Sequence, residues 1–310
     1  MNRSPRPVLI DTDTGVDDAL ALMLAFHSPE LSVRAITTVA GNAPVDRCTR
    51  NVRGLLQVLH PATVPEVGRG ASRPLRRALT TAPEVHGTDG LGGISATLPA
   101  ARVPVVDGVD LILRMSQRYG RLLTIIALGP LTNLARALRR KPDVFRRVGR
   151  IVSMGGAFSV PGNTGPVAEF NVFVDPDAAA EVYGSGIPIT IVPLDVTEQC
   201  RFTRDELRTL APGRSPKISR LVLSLARGYM EYHRMTEGFV GGYLHDPLAV
   251  AVAAQPSLVR CEPSRVVVER DGHSLRGMTS KVGVRRSSVE VAVQVNRTRF
   301  RRLFHSRLLP

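Results

Sequence analysis

Short apolar, β-branched runs recur along the chain at residues 8–10, 33–39, 122–128, 151–154, 187–194, 266–269 and 289–295. Their length and composition predict buried strands. Between several of them lie stretches with a helical pattern, at 45–59, 109–119, 131–140 and 176–183. Strands alternating with helices predict parallel βαβ units and a sheet covered on both faces. The last two runs are separated by the polar turn Asp271-Gly272-His273 and are expected to form an antiparallel edge. No repeat, low-complexity block or long linker breaks the pattern. The expectation is an α/β protein, a single domain over residues 1–310, with a mostly parallel central sheet flanked by helices.

Directly after the first run stands Asp11-Thr12-Asp13-Thr14-Gly15-Val16-Asp17-Asp18, with four carboxylates in one short turn, and behind it the apolar stretch 19–26. That order reads as strand, turn and helix. Acids in a first helical turn are ordinary, because they offset the positive end of the helix dipole. This accounts for Asp17 and Asp18 taken as a pair. It leaves Asp11 and Asp13, which precede the turn and add to the repulsion. A bound divalent cation relieves the crowding, and hard oxygen donors favour calcium or magnesium over zinc.

Open α/β sheets bind ligands at the carboxyl ends of their strands. Other predicted strands end in Val39-Ala40-Gly41-Asn42, in Leu128-Gly129-Pro130-Leu131-Thr132-Asn133 and in Met154-Gly155-Gly156. Glycine there lets a ligand or ion approach the backbone closely. Two more segments carry ligand-capable side chains: 161–171, with Asn163, Glu169 and Asn171, leading into Asp175-Pro176-Asp177; and His245-Asp246-Pro247, opening an apolar helix. Read singly, Glu169 and Asn171 are loop hydrogen-bonding groups and Asp246 is a helix cap.

Composition narrows the class. A hydrophobic share of 43% with 22% charged residues describes a globular chain, and no apolar run reaches the roughly 18 residues that span a bilayer. The polar segment 1–7 leaves no room for a signal peptide, and Cys48, Cys200 and Cys261 are too few and too scattered for a disulfide framework or a metal motif. A cytoplasmic protein with buried thiols is expected. The net charge of +14, with Arg285, Arg286, Arg297, Arg299, Arg301, Arg302 and Arg307 crowding one end, raises nucleic-acid binding. Only 5% of residues are aromatic and no nucleic-acid motif accompanies the arginines, so a solvated basic face is expected instead.

Together these segments strongly resemble the nucleoside hydrolase family, the inosine–uridine preferring enzymes that cleave N-ribosidic bonds. The resemblance runs nearly end to end: the octet, ITTVAGN (36–42), VHG (85–87), GPLTN (129–133), MGGAF (154–158), AEFNVFVDPDAA (168–179) and HDPLAV (245–250). It implies a Rossmann-like nucleoside hydrolase fold, a homotetramer or homodimer, and a calcium ion at the bottom of the pocket. The implied calcium ligands are Asp13, Asp18, Asp246 and the backbone carbonyl of Leu128, with a water and the ribose 2′ and 3′ hydroxyls completing the roughly 6 to 8 oxygens that calcium prefers. Relatives often carry Thr at the position of Leu128; a carbonyl ligand makes that exchange immaterial.

The resemblance makes Asp13 the general base toward a calcium-bound water and His245 the general acid for the departing base. It assigns Asp17, Asn163, Glu169 and Asn171 to the ribose hydroxyls, Asn42 to the neighbourhood of water and sugar, His86 to a supporting role beside the base, and Met154 to packing under the ribose. The stretch 229–243 borders the base in relatives and closes over it, and Gly238, Gly241 and Gly242 suit a hinge. Thr14 stands where relatives often carry Pro. His27, His60, His233, His273 and His305 match no motif position and are expected to be structural or exposed.

Other readings compete. Asp11-Thr12-Asp13-Thr14 fits the DxDxT motif of haloacid dehalogenase-type phosphatases, with Asp11 as nucleophile and Asp13 as acid/base. That chemistry also needs a later lysine, and Lys141, Lys217 and Lys281 stand in no such setting. A ribonucleoside-binding protein without turnover, or a nucleic-acid binder using the basic face, is the non-enzymatic alternative.

Overall fold

The computed structural model describes residues 4–99, 103–210, 216–271 and 274–308. Gly272 and His273 of the predicted polar turn lie outside the described residues. The strands are β1 (Arg6–Thr12), β2 (Leu31–Thr38), β3 (Glu66–Arg69), β4 (Val105–Asp107), β5 (Thr124–Ala127), β6 (Arg150–Met154), β7 (Ile189–Val192), β8 (Arg201–Thr203), β9 (Gly241–Tyr243), β10 (Val259–Val268), β11 (Thr279–Gly283) and β12 (Val289–Val295). Ten of them form one sheet in the order β11-β10-β12-β7-β6-β5-β1-β2-β3-β4, while β8 and β9 pair separately. From β12 to β4 every neighbour is parallel.

The antiparallel edge is present with one strand more than expected. β10 pairs antiparallel with β12 through Val259–Pro263, and with β11 through Ser264–Val268. The partner of the run at 266–269 is therefore β11, not β12. Thr279-Ser280-Lys281-Val282-Gly283 is largely exposed, so it has no apolar run to announce it. β12 itself is interior, between β10 and β7.

Side-chain alternation sorts the core into two layers. Val8 and Ile10 of β1 point to one face and Leu9 to the other; Ile126 and Val152 follow the first, Ile125 and Ile151 the second. On the first face lie the helices Val16–Phe26 and His245–Ala254, apolar nearly all round and packed on each other. On the second lie Gly108–Tyr119, Thr132–Arg140 and Pro176–Tyr183. Part of the basic C-terminal end is structural. Arg307 grips both carboxylate oxygens of Glu30 at 2.7 and 2.8 Å, and Arg301 pairs with Glu206. Among the described residues, no helix is long and apolar enough to cross a membrane.

One topological feature places the site. β1 lies between β2 and β5. The chain runs outward through β2, β3 and β4, then returns to the other side of β1. The carboxyl ends of β1 and β5 thus flank the switch point, where an α/β sheet opens its ligand crevice.

Candidate active site

The octet descends from the end of β1 into the first turn of the helix Val16–Phe26, and all four of its carboxylates are buried. They divide into two kinds. Asp11 points into the sheet, where Oδ1 accepts from Thr37 Oγ1 at 2.5 Å and from Asn133 Nδ2 at 2.7 Å. Its carboxyl is not part of the cavity wall, and no lysine is either. Phosphatase chemistry of the DxDxT type needs a lysine in the site, and among the described residues none lines the cavity, so that reading has no support.

Asp17 lines the cavity, while Asp13 and Asp18 are fully buried beside it and are not part of its wall. Asp13 Oδ2 accepts from the Asn42 backbone N–H at 2.7 Å, while Oδ1 is buried without any partner. Asp18 accepts from the Gly15 N–H at 2.7 Å, from Asn42 Nδ2 at 3.3 Å and from the Thr12 hydroxyl. Asp246 comes from the first turn of the helix His245–Ala254, which packs on the helix Val16–Phe26. Asp17, Asp18 and Asp246 each place a carboxyl oxygen within 4.8 Å of the others. Asp13 lies against this cluster, near enough that Asp18 and Asp17 both raise its pKa.

Glycine at these strand ends makes room for the acids themselves. A Cβ on Gly41 would stand 2.0 Å from Asp13 Oδ2, and one on Gly129 3.0 Å from Asp13 Oδ1. Thr14 takes φ +40° and donates its backbone N–H to Thr12 Oγ1 at 3.1 Å. Proline, fixed near −65° and lacking the N–H, could make neither feature.

Asp17, Asn42, His86, Leu128, Met154, Asn163, Glu169, Asn171, His245 and Asp246 all line one cavity. Asn171 Nδ2 donates to the Leu128 carbonyl at 2.8 Å and lies 3.5 Å from Met154 Sδ. Glu169 caps the helix Phe170–Val174, accepting from the N–H groups of Asn171 and Val172 at 2.8 and 3.1 Å, and from Gly156 at 3.1 Å. Asn163 is exposed at the mouth, its Oδ1 accepting from Phe170 N at 2.9 Å. Asp175 stays outside the cavity wall: it caps the helix Pro176–Tyr183 and accepts from Thr132 Oγ1 at 2.6 Å.

The other end is imidazole and aromatic ring. His245 Nδ1 meets Thr197 Oγ1 at 2.7 Å, and the ring leans on Tyr243. His86 Nδ1 accepts from the Val16 N–H at 3.1 Å, an orphan donor of the helix start. Burial pushes both imidazoles down to about 3, helped by neighbouring histidines. Tyr229, Tyr232, His233, Glu237 and Tyr243 also line this end. His233, expected to be structural or exposed, is buried and yet part of the wall. Its one sequence signal was its place in the aromatic stretch 229–243. Within that stretch Gly241 and Gly242 are enclosed: a Cβ would stand 2.3 Å from the Phe202 carbonyl oxygen and 2.6 Å from the Tyr229 ring. Only Gly238, at φ +73° with open space around it, has hinge-like freedom.

An acid-rich floor at the switch point of a parallel sheet, facing imidazoles across one cavity, is the arrangement of a hydrolase. Residues 8–302 match the model of the inosine-uridine preferring nucleoside hydrolases, and the chain belongs to that family. The pyrimidine-specific ribonucleoside hydrolase RihA of Citrobacter koseri is 40% identical over 274 residues, 88% of this chain and 87% of that one. RihA of Escherichia coli O9:H4 is 39% identical over the same shares. Among solved structures, a plant nucleoside hydrolase matches with a TM-score of 0.93 at 35% identity, over 98% of this chain and 99% of its own. A purine-preferring ribonucleoside hydrolase from Gardnerella vaginalis matches at 0.90 and 31%, over 98% of each chain. The protein is a ribonucleoside hydrolase, a glycosidase.

The donors fit a hard cation. The carboxyl oxygens that converge are those of Asp17, Asp18 and Asp246, with Asp17 where Asp13 was expected. Asp13 Oδ1 is buried with no protein donor, and the Leu128 carbonyl already accepts from Asn171. Without a cation, burial pushes Asp11 up to about 7, Asp17 to about 8 and Glu169 to about 7, with Asp18 adding to the shift of Asp17. A carboxyl whose pKa is raised by folding stabilises the fold while it is protonated, and that contribution is lost as pH climbs to the raised value. The chelated protein should therefore lose melting temperature between about pH 4 and about 8. A saturating hard cation should remove the share of the decline carried by Asp17 and the carboxylates around it, leaving that of Asp11 and Glu169. Equal slopes with and without the cation, read by differential scanning fluorimetry, would rule out a cation among these carboxylates.

Proposed function

We propose that this chain, as a single cytoplasmic domain of 310 residues assembled in two or four copies, hydrolyses the N-glycosidic bond of ribonucleosides in a calcium-dependent reaction. The observation that carries the reading is the convergence of Asp17, Asp18 and Asp246, with Asp13 against them and with His245 and His86 on the wall of the cavity that Asp17 and Asp246 also line. Asp13, Asp18, Asp246 and the Leu128 carbonyl are the proposed metal ligands. A calcium ion bound there supplies an anchor for the ribose 2′ and 3′ hydroxyls and lowers the pKa of a bound water.

Asp13 then takes the proton of the attacking water. The Asn42 backbone N–H holds its Oδ2 and so fixes the carboxylate plane beside the floor. Asp17, Glu169, Asn171 and Asn163 grip the ribose, with Asn42 beside the water and Met154 beneath the ring. Cleavage builds positive charge on the sugar, and the oxygens already fixed around it stabilise that charge without reorganising.

His245 protonates the departing base. Thr197 holds Nδ1, so Nε2 is the nitrogen left to donate. Its low pKa keeps the ring neutral in the resting pocket; it takes up a proton from solvent as negative charge gathers on the leaving base, passes the Nε2 proton to the base and returns to neutral. His86, held by the Val16 N–H, supports the base from the side.

The matched curated relatives are named for pyrimidine specificity, which makes uridine and cytidine the first substrates to assay. Asp13→Ala is expected to abolish turnover and weaken calcium binding, measured as released ribose and by calorimetric titration; turnover within tenfold of wild type would remove Asp13 from the base role. His245→Ala is expected to impair uridine far more than nitrophenyl riboside, whose leaving group needs little protonation. For an acid with a depressed pKa the protonated fraction falls as pH rises, so log kcat/KM for uridine should decline across neutrality and that decline should vanish in His245→Ala. Equal losses on both substrates would remove His245 from the acid role. Finally, 2′-deoxyuridine should lose about 3 kcal/mol in kcat/KM, as for a hydrogen bond to a charged group.

A further inference from the structure

A second cavity, apart from the carboxylate floor, is lined by β8, the residues just before it and the helix Arg297–Leu308. Its volume of about 570 Å³ suits a small organic ligand. Its buried lining is apolar: Cys200, Phe202, Leu244, Phe300 and Phe304 are each 3% exposed or less. Its exposed lining is basic, with Arg201 from β8 and Arg297 and Arg301 from the helix.

The three guanidinium groups differ in what they already hold. Arg301 is paired with Glu206. Arg201 donates Nε to the Glu198 carbonyl oxygen at 3.2 Å, and the Glu198 carboxylate, part of the same lining, is near enough for Arg201 to lower its pKa. Arg297 makes no hydrogen bond or ion pair among the described residues. Burial raises the Cys200 pKa and Arg297 pulls it back, so this uncompensated charge stands close to the apolar floor. An organic anion satisfies that combination. The planar fork of Arg297 takes two of its oxygens, and the floor takes its apolar body. The terminal nitrogens of Arg201 remain for a third oxygen, which a phosphate has and a carboxylate lacks.

Two contacts join this cavity to the active site. The Arg201 guanidinium lies over the rings of Phe239 and Tyr243, 4.7 and 5.0 Å from their centroids, and Tyr243 leans on His245 at 5.1 Å. Leu244 donates its N–H to the Cys200 carbonyl at 2.8 Å and immediately precedes His245. We propose that the cavity binds a small organic phosphate of the nucleoside monophosphate class, and that its occupation weakens ribonucleoside binding at the active site through Arg201 and Tyr243. The phosphate sits on Arg297 and Arg201, and the planar base lies on the apolar floor. Drawing Arg201 toward the phosphate takes its charge from the face of Tyr243, and so loosens one wall of the active-site cavity.

The test is calorimetric titration of wild type and Arg297→Gln with uridine 5′-monophosphate, ribose 5-phosphate and inorganic phosphate, beside uridine kinetics at rising monophosphate. The monophosphate should bind wild type at least about tenfold more tightly than either smaller phosphate, and lose at least about tenfold in Arg297→Gln. It should raise the KM for uridine in wild type with little change in kcat, and leave the KM of Arg297→Gln unmoved. Without monophosphate the two proteins should turn over uridine alike. Competition within the active site itself raises KM equally in both proteins, and that result overturns the proposal. So do an affinity unchanged in Arg297→Gln, inorganic phosphate binding as tightly as the monophosphate, binding that leaves KM unmoved, or no binding to wild type. Arg297 is exposed, so the variant is expected to fold; Arg297→Glu, which reverses the charge, should abolish binding and is judged by the same outcomes.

Discussion

Four carboxylates held almost out of water, close enough to raise one another's proton affinity, are the constraint around which this molecule is built. Each alone is a local convenience: a capping acid at a helix start, or a side chain at a strand end. Crowded together they destabilise the fold unless they are protonated or share a cation. The architecture accepts that cost by bringing two fully buried helices, Val16–Phe26 and His245–Ala254, into contact with their first turns side by side. Both helix starts direct their positive ends at the cluster, and backbone N–H groups from Gly15 and Asn42 hold the oxygens in place. The rigidity of the floor comes from the core beneath it, not from loops.

The cavity has two ends of opposite character. Asp17, Asp246, Glu169 and the asparagines supply its oxygens, and Tyr229, Tyr232, Tyr243, His86, His233 and His245 its rings. Cleaving a bond between a sugar that becomes positive and a base that becomes negative needs this polarity in fixed form, because groups already oriented cost no reorganisation when charge develops. Hydrogen bonds keep the ends apart. Asn171 ties the Leu128 carbonyl to the Glu169 helix, while Thr197 and Val16 hold His245 and His86.

How much was legible follows from which residues announce themselves locally. The octet was readable because Asp11 and Asp13 contradict their surroundings, and the parallel sheet because its strands are buried on both faces and therefore continuously apolar. β3, β4, β8, β9 and β11 were not. They are short or largely exposed, and only their partners make them strands. The reading of Gly41 and Gly129 was right about close approach and misjudged what approaches: the Asp13 carboxyl, a contact between segments far apart in sequence. His233 escaped for a related reason. A histidine four residues before a glutamate on a helix looks like an ordinary surface pair. Only tertiary packing, which seals the ring under Tyr229, Tyr243 and Phe239, turns it into part of the wall.

Three imidazoles in one dry space also limit each other. His233 lowers the pKa of both His86 and His245, and His86 lowers that of His245. Each of them makes a charge on its neighbours less favourable. The hydrogen bonds decide where a proton goes. His86 spends Nδ1 on accepting the Val16 N–H, and His233 spends its Nδ1 proton on Glu237. His245 is bound only to a hydroxyl, which can donate or accept as the ring changes state. It is the one imidazole of the three that can gain and lose a proton without breaking its own support. That freedom, more than its low resting pKa, suits it to a proton-transfer step.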